Sequence, residues 1–168
     1  MAEIRLTTKQ NIVKNTPMGG NVGVDKYIFL IDVVQKMILE PVLGTKLYTK
    51  IKEDYNTNAL EGLYLQMHED YIVPFLNYAV YANYVHDGSD RIVNNGNVRP
   101  NPSNTSTMTD SENRANESKW QNVANMYLNG LEKFLCHESN MIPEYRKQDE
   151  PYDKHAKKNE GYNLTWYL

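Results

Sequence analysis

Few residues in this sequence have the types and spacing that chemistry requires. The triplet His-Glu-Asp at positions 68–70 resembles the start of a zinc-protease helix. Such a helix needs a second histidine one turn later to complete the metal site, and position 72 holds isoleucine instead. We therefore expect His68 and its two neighbours to lie on the solvated polar face of a helix.

The remaining chemical candidates are also incomplete. Cys136 and His137 are adjacent, and side chains of adjacent helical residues point about 100° apart, so they do not form a thiol–imidazole pair. We expect a buried cysteine beside a helix-terminal histidine. The glycines of residues 19–23 and the sequence Gly-Thr-Lys at 44–46 lack the order of a phosphate-binding loop. We expect no catalytic residues, no cofactor and no metal, and hence a protein that is not an enzyme.

Composition excludes further classes of protein. A chain of 168 residues fits one domain, and its net charge of -3 argues against a dedicated nucleic-acid-binding face. Its apolar stretches fall short of the ~20 residues that a membrane span needs, and its start lacks the pattern of a secretory signal. The one cysteine excludes a disulfide framework. We expect a reducing cytoplasm, or an assembly built there, without membrane contact.

The elements that must position any site are predicted to be helices. Apolar residues recur at three- and four-residue steps in three long segments, 25–40, 59–86 and 110–136, and in a short one from Leu47 to Tyr55. Pro41 should end the first helix, and Pro74 should kink the second. The predicted fold class is all-α, a helical bundle of three long helices plus a short one, with a possible small β element.

Polar segments separate and flank these helices. Residues 87–110 are predicted to be a long polar loop, residues 1–23 an extended N-terminal arm and residues 146–168 an extended C-terminal arm, which leaves 24–145 as the helical domain. The end of the C-terminal arm is rich in aromatic and apolar residues, which favours docking onto another surface. The candidate interface residues there are Tyr152, Tyr162, Leu164, Trp166 and Tyr167.

A tyrosine series runs along the second long helix. Tyr64, Tyr71 and Tyr78 repeat every seven residues, and Tyr81 and Tyr84 follow at three-residue steps. The first interpretation is that these rings form the core and its edge. The second is protein–protein contact, because tyrosine offers a large area, few rotatable bonds and a polar tip. Together with two polar arms, this pattern favours an assembly subunit over an enzyme.

Several segments resemble the head–tail connector proteins of tailed phages. Residues 38–51 read ILEPVLGTKLYTKI, which is similar to a signature of the adaptor or head-completion subunits that attach to the portal. Three further features are similar to phages of Bacteroidales hosts, including the crAss-like group: YIVPFLNY at 71–78, the loop NNGNV at 94–98, and FLC at 134–136 followed by IPEY at 142–145. The resemblance covers residues 24–145 in order.

The resemblance implies a compact helical subunit of a homo-oligomeric ring, commonly of twelve copies, in the virion. Such a ring lies beneath the portal protein, extends the channel for genomic DNA without sequence-specific binding, and docks an adjacent neck or tail ring protein. The family has no catalytic residues, so none are transferred. A tail-completion or other stacked neck ring protein is the alternative, and a small helical enzyme or ligand-binding domain that uses the tyrosine-lined bundle is the second alternative.

Overall fold

A computed structural model describes residues 3–19, 21–87, 91–93, 96–98 and 110–146. These residues are predominantly helical, which confirms the predicted all-α class. The helices, in chain order, are α1 (Lys9–Asn15), α2 (Ile28–Val34), α3 (Glu40–Leu43), α4 (Thr45–Asn56), α5 (Gly62–Met67), α6 (Val73–Asp87), α7 (Asp110–Glu138) and α8 (Pro143–Arg146). A short 3₁₀ turn, Val24–Lys26, precedes α2.

A π-helical segment, π1 (Gln35–Leu39), joins α2 to α3 and makes residues 28–43 one continuous rod. The prediction that Pro41 ends this helix is wrong. Proline has no N–H and cannot donate the i→i−4 hydrogen bond of a regular helix. Just before Pro41 the helix widens to a π turn, in which the Glu40 N–H bonds to the carbonyl of Gln35, five residues back. The rod ends at Gly44, whose φ of 78° favours glycine.

The second rod, residues 62–87, repeats this arrangement. The segment π2 (His68–Ile72) joins α5 to α6, and it ends two residues before Pro74, as π1 does before Pro41. The Val73 N–H bonds to the His68 carbonyl, five residues back. Pro74 is therefore accommodated by a local widening of the helix.

The 62–87 rod packs along α7, and this helix pair has the most extensive contact between elements of the described chain. Aromatic rings fill the seam. Tyr78 stacks on Trp120 at 5.7 Å and on Tyr127 at 5.8 Å between ring centroids, with interplanar angles of 4° and 10°. Tyr81 meets Trp120 edge-on, and Tyr71 lies against the ring of Phe134 at 5.3 Å. Such pairs add about 0.5–1.5 kcal/mol each beyond the area they bury.

The tyrosine series thus lies at the edge of the core, which confirms the first interpretation of its spacing. The members Tyr64, Tyr71, Tyr78, Tyr81 and Tyr84 are partly buried and pack against the central hydrophobic cluster. That cluster draws side chains from the 28–43 rod, α4, the 62–87 rod and α7; its most deeply buried large members include Tyr27, Ile31, Leu47, Phe75 and Leu76.

The described part of the N-terminal segment packs onto the body, so the prediction of an extended N-terminal arm is wrong there. Leu6 and Ile12 are completely buried, and Met18 is nearly so. Helix α1 lies against α6 and is capped by Thr8, whose hydroxyl accepts from the Asn11 N–H. Three apolar side chains are enough to bring this polar segment into the core, because each removes a large apolar area from water.

The predicted loop 87–110 contains a short antiparallel strand pair. Strand β1 (Arg91–Val93) pairs with β2 (Gly96–Val98), with Arg91 opposite Val98 and Val93 opposite Gly96. The rest of this loop, except Asp87 and Asp110, lies outside the described residues. So does the C-terminal arm after Arg146, with all five of its candidate interface residues: Tyr152, Tyr162, Leu164, Trp166 and Tyr167.

Gly130 of α7 lies close to the Tyr71 ring of the 62–87 rod. A Cβ placed there would lie 3.0 Å from Cε1 of Tyr71. We expect Gly130→Leu to lower the free energy of unfolding by about 1–3 kcal/mol, because the Tyr71 ring would have to move out of a packed seam. Thermal denaturation followed by circular dichroism measures this loss. Asn129→Leu, at the exposed neighbouring position, is the matched control; equal melting temperatures for the two variants would contradict the tight contact.

Candidate functional site: a clasp around the N-terminal segment

The most concentrated set of buried polar groups in the described residues binds the chain between Glu3 and Thr7. We call this set the clasp; it consists of Asp32, Gln35, Lys52, His68 and Asn77. Three of them, Gln35, His68 and Asn77, are buried, and buried polar side chains are retained only where they are hydrogen-bonded. The residues of the N-terminal segment that the five clasp side chains bind lie 27 to 70 residues away in sequence, so the clasp is a tertiary feature.

Gln35 binds the main chain of the N-terminal segment at two points. Its Oε1 accepts from the Leu6 N–H at 2.6 Å, and its Nε2 donates to the Ile4 carbonyl at 3.1 Å. The same Nε2 lies 3.3 Å from the Tyr48 hydroxyl. Both of these bonds join the side-chain amide to main-chain groups two residues apart. Gln35 therefore recognises the backbone of this segment rather than a side chain.

His68 and Asn77 continue this recognition on the second rod. The Nε2–H of His68 donates to the Leu6 carbonyl at 2.9 Å, and the Thr7 hydroxyl donates to Oδ1 of Asn77 at 2.8 Å. Burial lowers the pKa of His68, although its bond to the Leu6 carbonyl opposes that shift. The prediction that His68 lies on a solvated face is wrong, because the N-terminal segment covers it.

Two ion pairs hold the outer side of the same segment. The Arg5 guanidinium donates from Nε and Nη2 to the two carboxylate oxygens of Asp32, at 2.9 and 2.7 Å. Lys52 Nζ donates to Glu3 Oε1, and this bond holds the pKa of the Glu3 carboxyl below its usual value. The bidentate geometry makes the Arg5–Asp32 pair directional.

The other candidates predicted from the sequence do not converge on the clasp. Cys136 is exposed near the end of α7, so the prediction that it is buried is wrong. No group of three or more His, Cys, Asp or Glu side chains within the described ranges could hold a metal ion. A shallow open depression beside the N-terminal segment is lined by Glu3, Ile4, Arg5, Tyr55, Asn56 and Asn58. Among the described helices none is long and apolar enough to cross a membrane.

The rods also present an apolar surface that the described residues leave exposed. Phe29, Val33 and Met37 recur every fourth residue along the 28–43 rod and are 49%, 37% and 55% exposed. We call this row the ridge. It faces away from Gln35, because the rod buries Leu30, Ile31, Val34 and Ile38 on its inner side.

Gln35 is expected to stabilise the N-terminal segment through both of its backbone bonds. Gln35→Met keeps the length of the side chain but leaves the Leu6 N–H and the Ile4 carbonyl without this partner. We expect a loss of about 1–3 kcal/mol for a buried polar group left unsatisfied, and faster hydrogen exchange of the Leu6 amide. Gln66→Met, at an exposed site on α5, is the control. Unchanged exchange at Leu6 in the Gln35 variant would contradict the assignment.

His68 is expected to make the stability of the protein depend on pH. Its pKa is lower in the folded chain than the usual histidine value of about 6.5. The unfolded state therefore binds more protons as pH falls below about 6.5, and folding is weakened. His68→Gln can still donate to the Leu6 carbonyl but does not titrate. We expect the loss of melting temperature between pH ~7.5 and ~5.5, which bracket that value, to be smaller in this variant than in the wild type; equal losses would contradict the prediction.

Comparison with known proteins adds a family but no named relative. No curated protein and no solved structure matches the chain significantly. The family of unknown function DUF6712 matches residues 39–154, which begin within π1 and include the rest of the helical body. The segments that carry the resemblance to phage connectors fall almost wholly within this range. The chain belongs to the DUF6712 family.

Proposed function

We propose that this protein is a structural, non-enzymatic subunit of a phage head–tail connector ring. In this proposal the body is a bundle of three long helices and a short one, and about twelve copies form a ring beneath the portal protein in the virion. The ring extends the DNA channel and docks the next neck or tail protein. The proposal combines the ordered resemblance over residues 24–145 with a surface suited to contact between copies.

The ridge is the observation that carries the proposal. Three large apolar side chains in a row, each more than a third exposed, cost free energy while they face water. Ion pairs lie on the same rod: Asp32 binds Arg5, and Lys36 binds Glu40 at 2.6 Å. An apolar centre with a charged rim is the usual anatomy of a protein–protein interface.

In a ring, the ridge of one subunit can pack against the neighbouring subunit. Each subunit of a ring presents two different side faces, and a head-to-tail contact closes when the rotation between copies is right. The ridge would form one of these faces. The candidate docking residues of the C-terminal arm, Tyr152, Tyr162, Leu164, Trp166 and Tyr167, would contact the portal protein, a neighbouring subunit or another ring.

Substitution in the ridge tests the proposal. We expect full-length wild-type protein to give closed rings by negative-stain electron microscopy and a single high-order oligomer by native mass spectrometry. Met37→Glu places a charge at the most exposed ridge position and should abolish the rings while leaving the melting temperature within about 2 °C, since exposed substitutions change stability little.

Met37→Leu is the matched control and should assemble as the wild type does. Rings that persist in the Met37→Glu variant would contradict the role of the ridge. A wild-type protein that stays monomeric, both alone and when mixed with the portal protein, would contradict the connector function.

A further inference from the structure

We infer that the clasp is an exchange site that binds residues 3–18 of a second copy of this chain. The inference deepens the proposed function, on which it rests for the presence of neighbouring copies, because it names a contact between them. The N-terminal segment contacts the body as a bound peptide ligand would. Residues 3–7 are held by side chains of the two rods and α4, through five hydrogen-bonding side chains.

The clasp selects both main-chain groups and charge. Gln35 and His68 bind the main chain around Leu6, which requires a free N–H and carbonyl there and a buried apolar side chain at the same point. Lys52 and Asp32 then require an acidic residue three positions before the leucine and a basic one directly before it. The sequence Glu3-Ile4-Arg5-Leu6-Thr7 meets these demands, and every copy of the chain carries it.

The connection to the body is suited to exchange. After Met18 the chain runs through Gly19 and on to Gly23, with a further glycine at position 20 in the sequence. A Cβ at Gly19 would meet nothing within 4 Å, and one at Gly23 would meet only the Lys26 side chain. Glycine lacks a Cβ, so the backbone at Gly19 and Gly23 can turn in ways that other residues disfavour, and these two positions can serve as a hinge. Residues 3–18 can therefore move as one unit that keeps Leu6, Ile12 and Met18 together.

Exchange between copies costs little once the copies are held side by side. All the contacts of the unit are available in a neighbour, because the neighbour has the same clasp and the same apolar sites. Binding to a neighbour differs from binding to the own chain mainly by the entropy lost when two copies associate. A ring contact holds the copies together and raises their effective concentration, so this cost is already reduced. A ring in which each subunit binds the segment of the next would be linked around its whole circumference.

Charge reversal across the Arg5–Asp32 pair tests this inference with full-length protein. Arg5→Glu and Asp32→Arg each place like charges together when a chain binds its own segment. In an exchanged pair, the Glu introduced by R5E in one chain binds the Arg introduced by D32R in the other chain. The unchanged Arg5 of the D32R chain then binds the unchanged Asp32 of the R5E chain. Both attractions are restored only between copies.

We expect a mixture of the two variants, refolded together, to melt about 2–4 °C above either variant alone, a shift of the size that restoring one bidentate ion pair gives in a chain of this length. Native mass spectrometry of the mixture should show mixed oligomers. The control mixture is Arg5→Glu with Lys52→Glu. It also carries two charge reversals, but the number of attractive ion pairs is the same whether each clasp binds its own segment or that of the other chain. A mixture that melts as the sum of its separate components would overturn the inference.

Cysteine cross-linking tests the same inference if a charge variant folds poorly. The Thr7 hydroxyl and Asn77 Oδ1 are 2.8 Å apart, so the thiols of Thr7→Cys and Asn77→Cys on separate chains would lie near each other in an exchanged pair and can be joined by oxidation or by a short thiol-reactive cross-linker after refolding together. Both chains carry Cys136→Ser, because that thiol is exposed. A covalent heterodimer on a non-reducing gel supports exchange. A cross-link confined to single chains that carry both cysteines contradicts it.

The two proposals fail separately. If rings form but the mixture of charge variants shows no rise in melting temperature and the cysteine variants form no heterodimer, exchange is overturned and the connector function stands. If the mixture melts higher but the protein forms only dimers, exchange is supported and the ring is contradicted.

Discussion

Two prolines inside long helices set the geometry on which the rest of this fold depends. Pro41 and Pro74 each lack the N–H that a regular helix requires, and a π segment ends two residues before each of them. An added residue in a turn rotates the part of the helix before it relative to the part after it. The first residues of the two π segments are Gln35 and His68, the side chains that bind the N-terminal segment on either side of Leu6.

This arrangement explains how an apolar stripe can carry buried polar groups. Gln35 lies four residues after Ile31 and three before Ile38, so it faces the core. A glutamine there would normally leave an amide without partners in an apolar setting. The N-terminal segment supplies an N–H and a carbonyl at the required positions. The segment and the amide therefore depend on each other, since each would be unsatisfied without the other.

The sequence predicts the helices well and the clasp poorly, for physical reasons. Periodic apolar residues locate the long helices because a helix must bury one face whatever it packs against. Pro41 misleads, because tertiary packing of Val42 and Leu43 continues the helix past it. The positions of Gln35 and His68 on apolar stripes indicate from the sequence alone that these side chains are buried. Their hydrogen-bond partner could not be predicted in this way, because Leu6 lies 29 and 62 residues away in sequence and no local pattern links it to them.

The aromatic seam and the clasp stabilise the body in different ways. In the seam, Tyr78 is stacked between Trp120 and Tyr127, and Gly130 leaves room for the Tyr71 ring. These contacts join two long helices over many turns and have no hinge. The clasp instead holds a short segment by hydrogen bonds and ion pairs, next to a glycine-rich connection. The clasp and the aromatic seam share no side chain, so the exchange inferred above would not itself remove a ring contact of the seam.

The 28–43 rod connects the clasp to the exposed surface. Gln35 and Met37 both belong to π1, and they point to opposite sides of the rod, one into the clasp and one into the ridge. A partner that packs on Met37 would therefore contact the same π segment that holds Gln35. Covering the ridge and filling the clasp are then two contacts of one helical segment. A neighbour that fixes π1 from outside would favour the geometry in which Gln35 binds the main chain around Leu6, whether that segment belongs to its own chain or to the next.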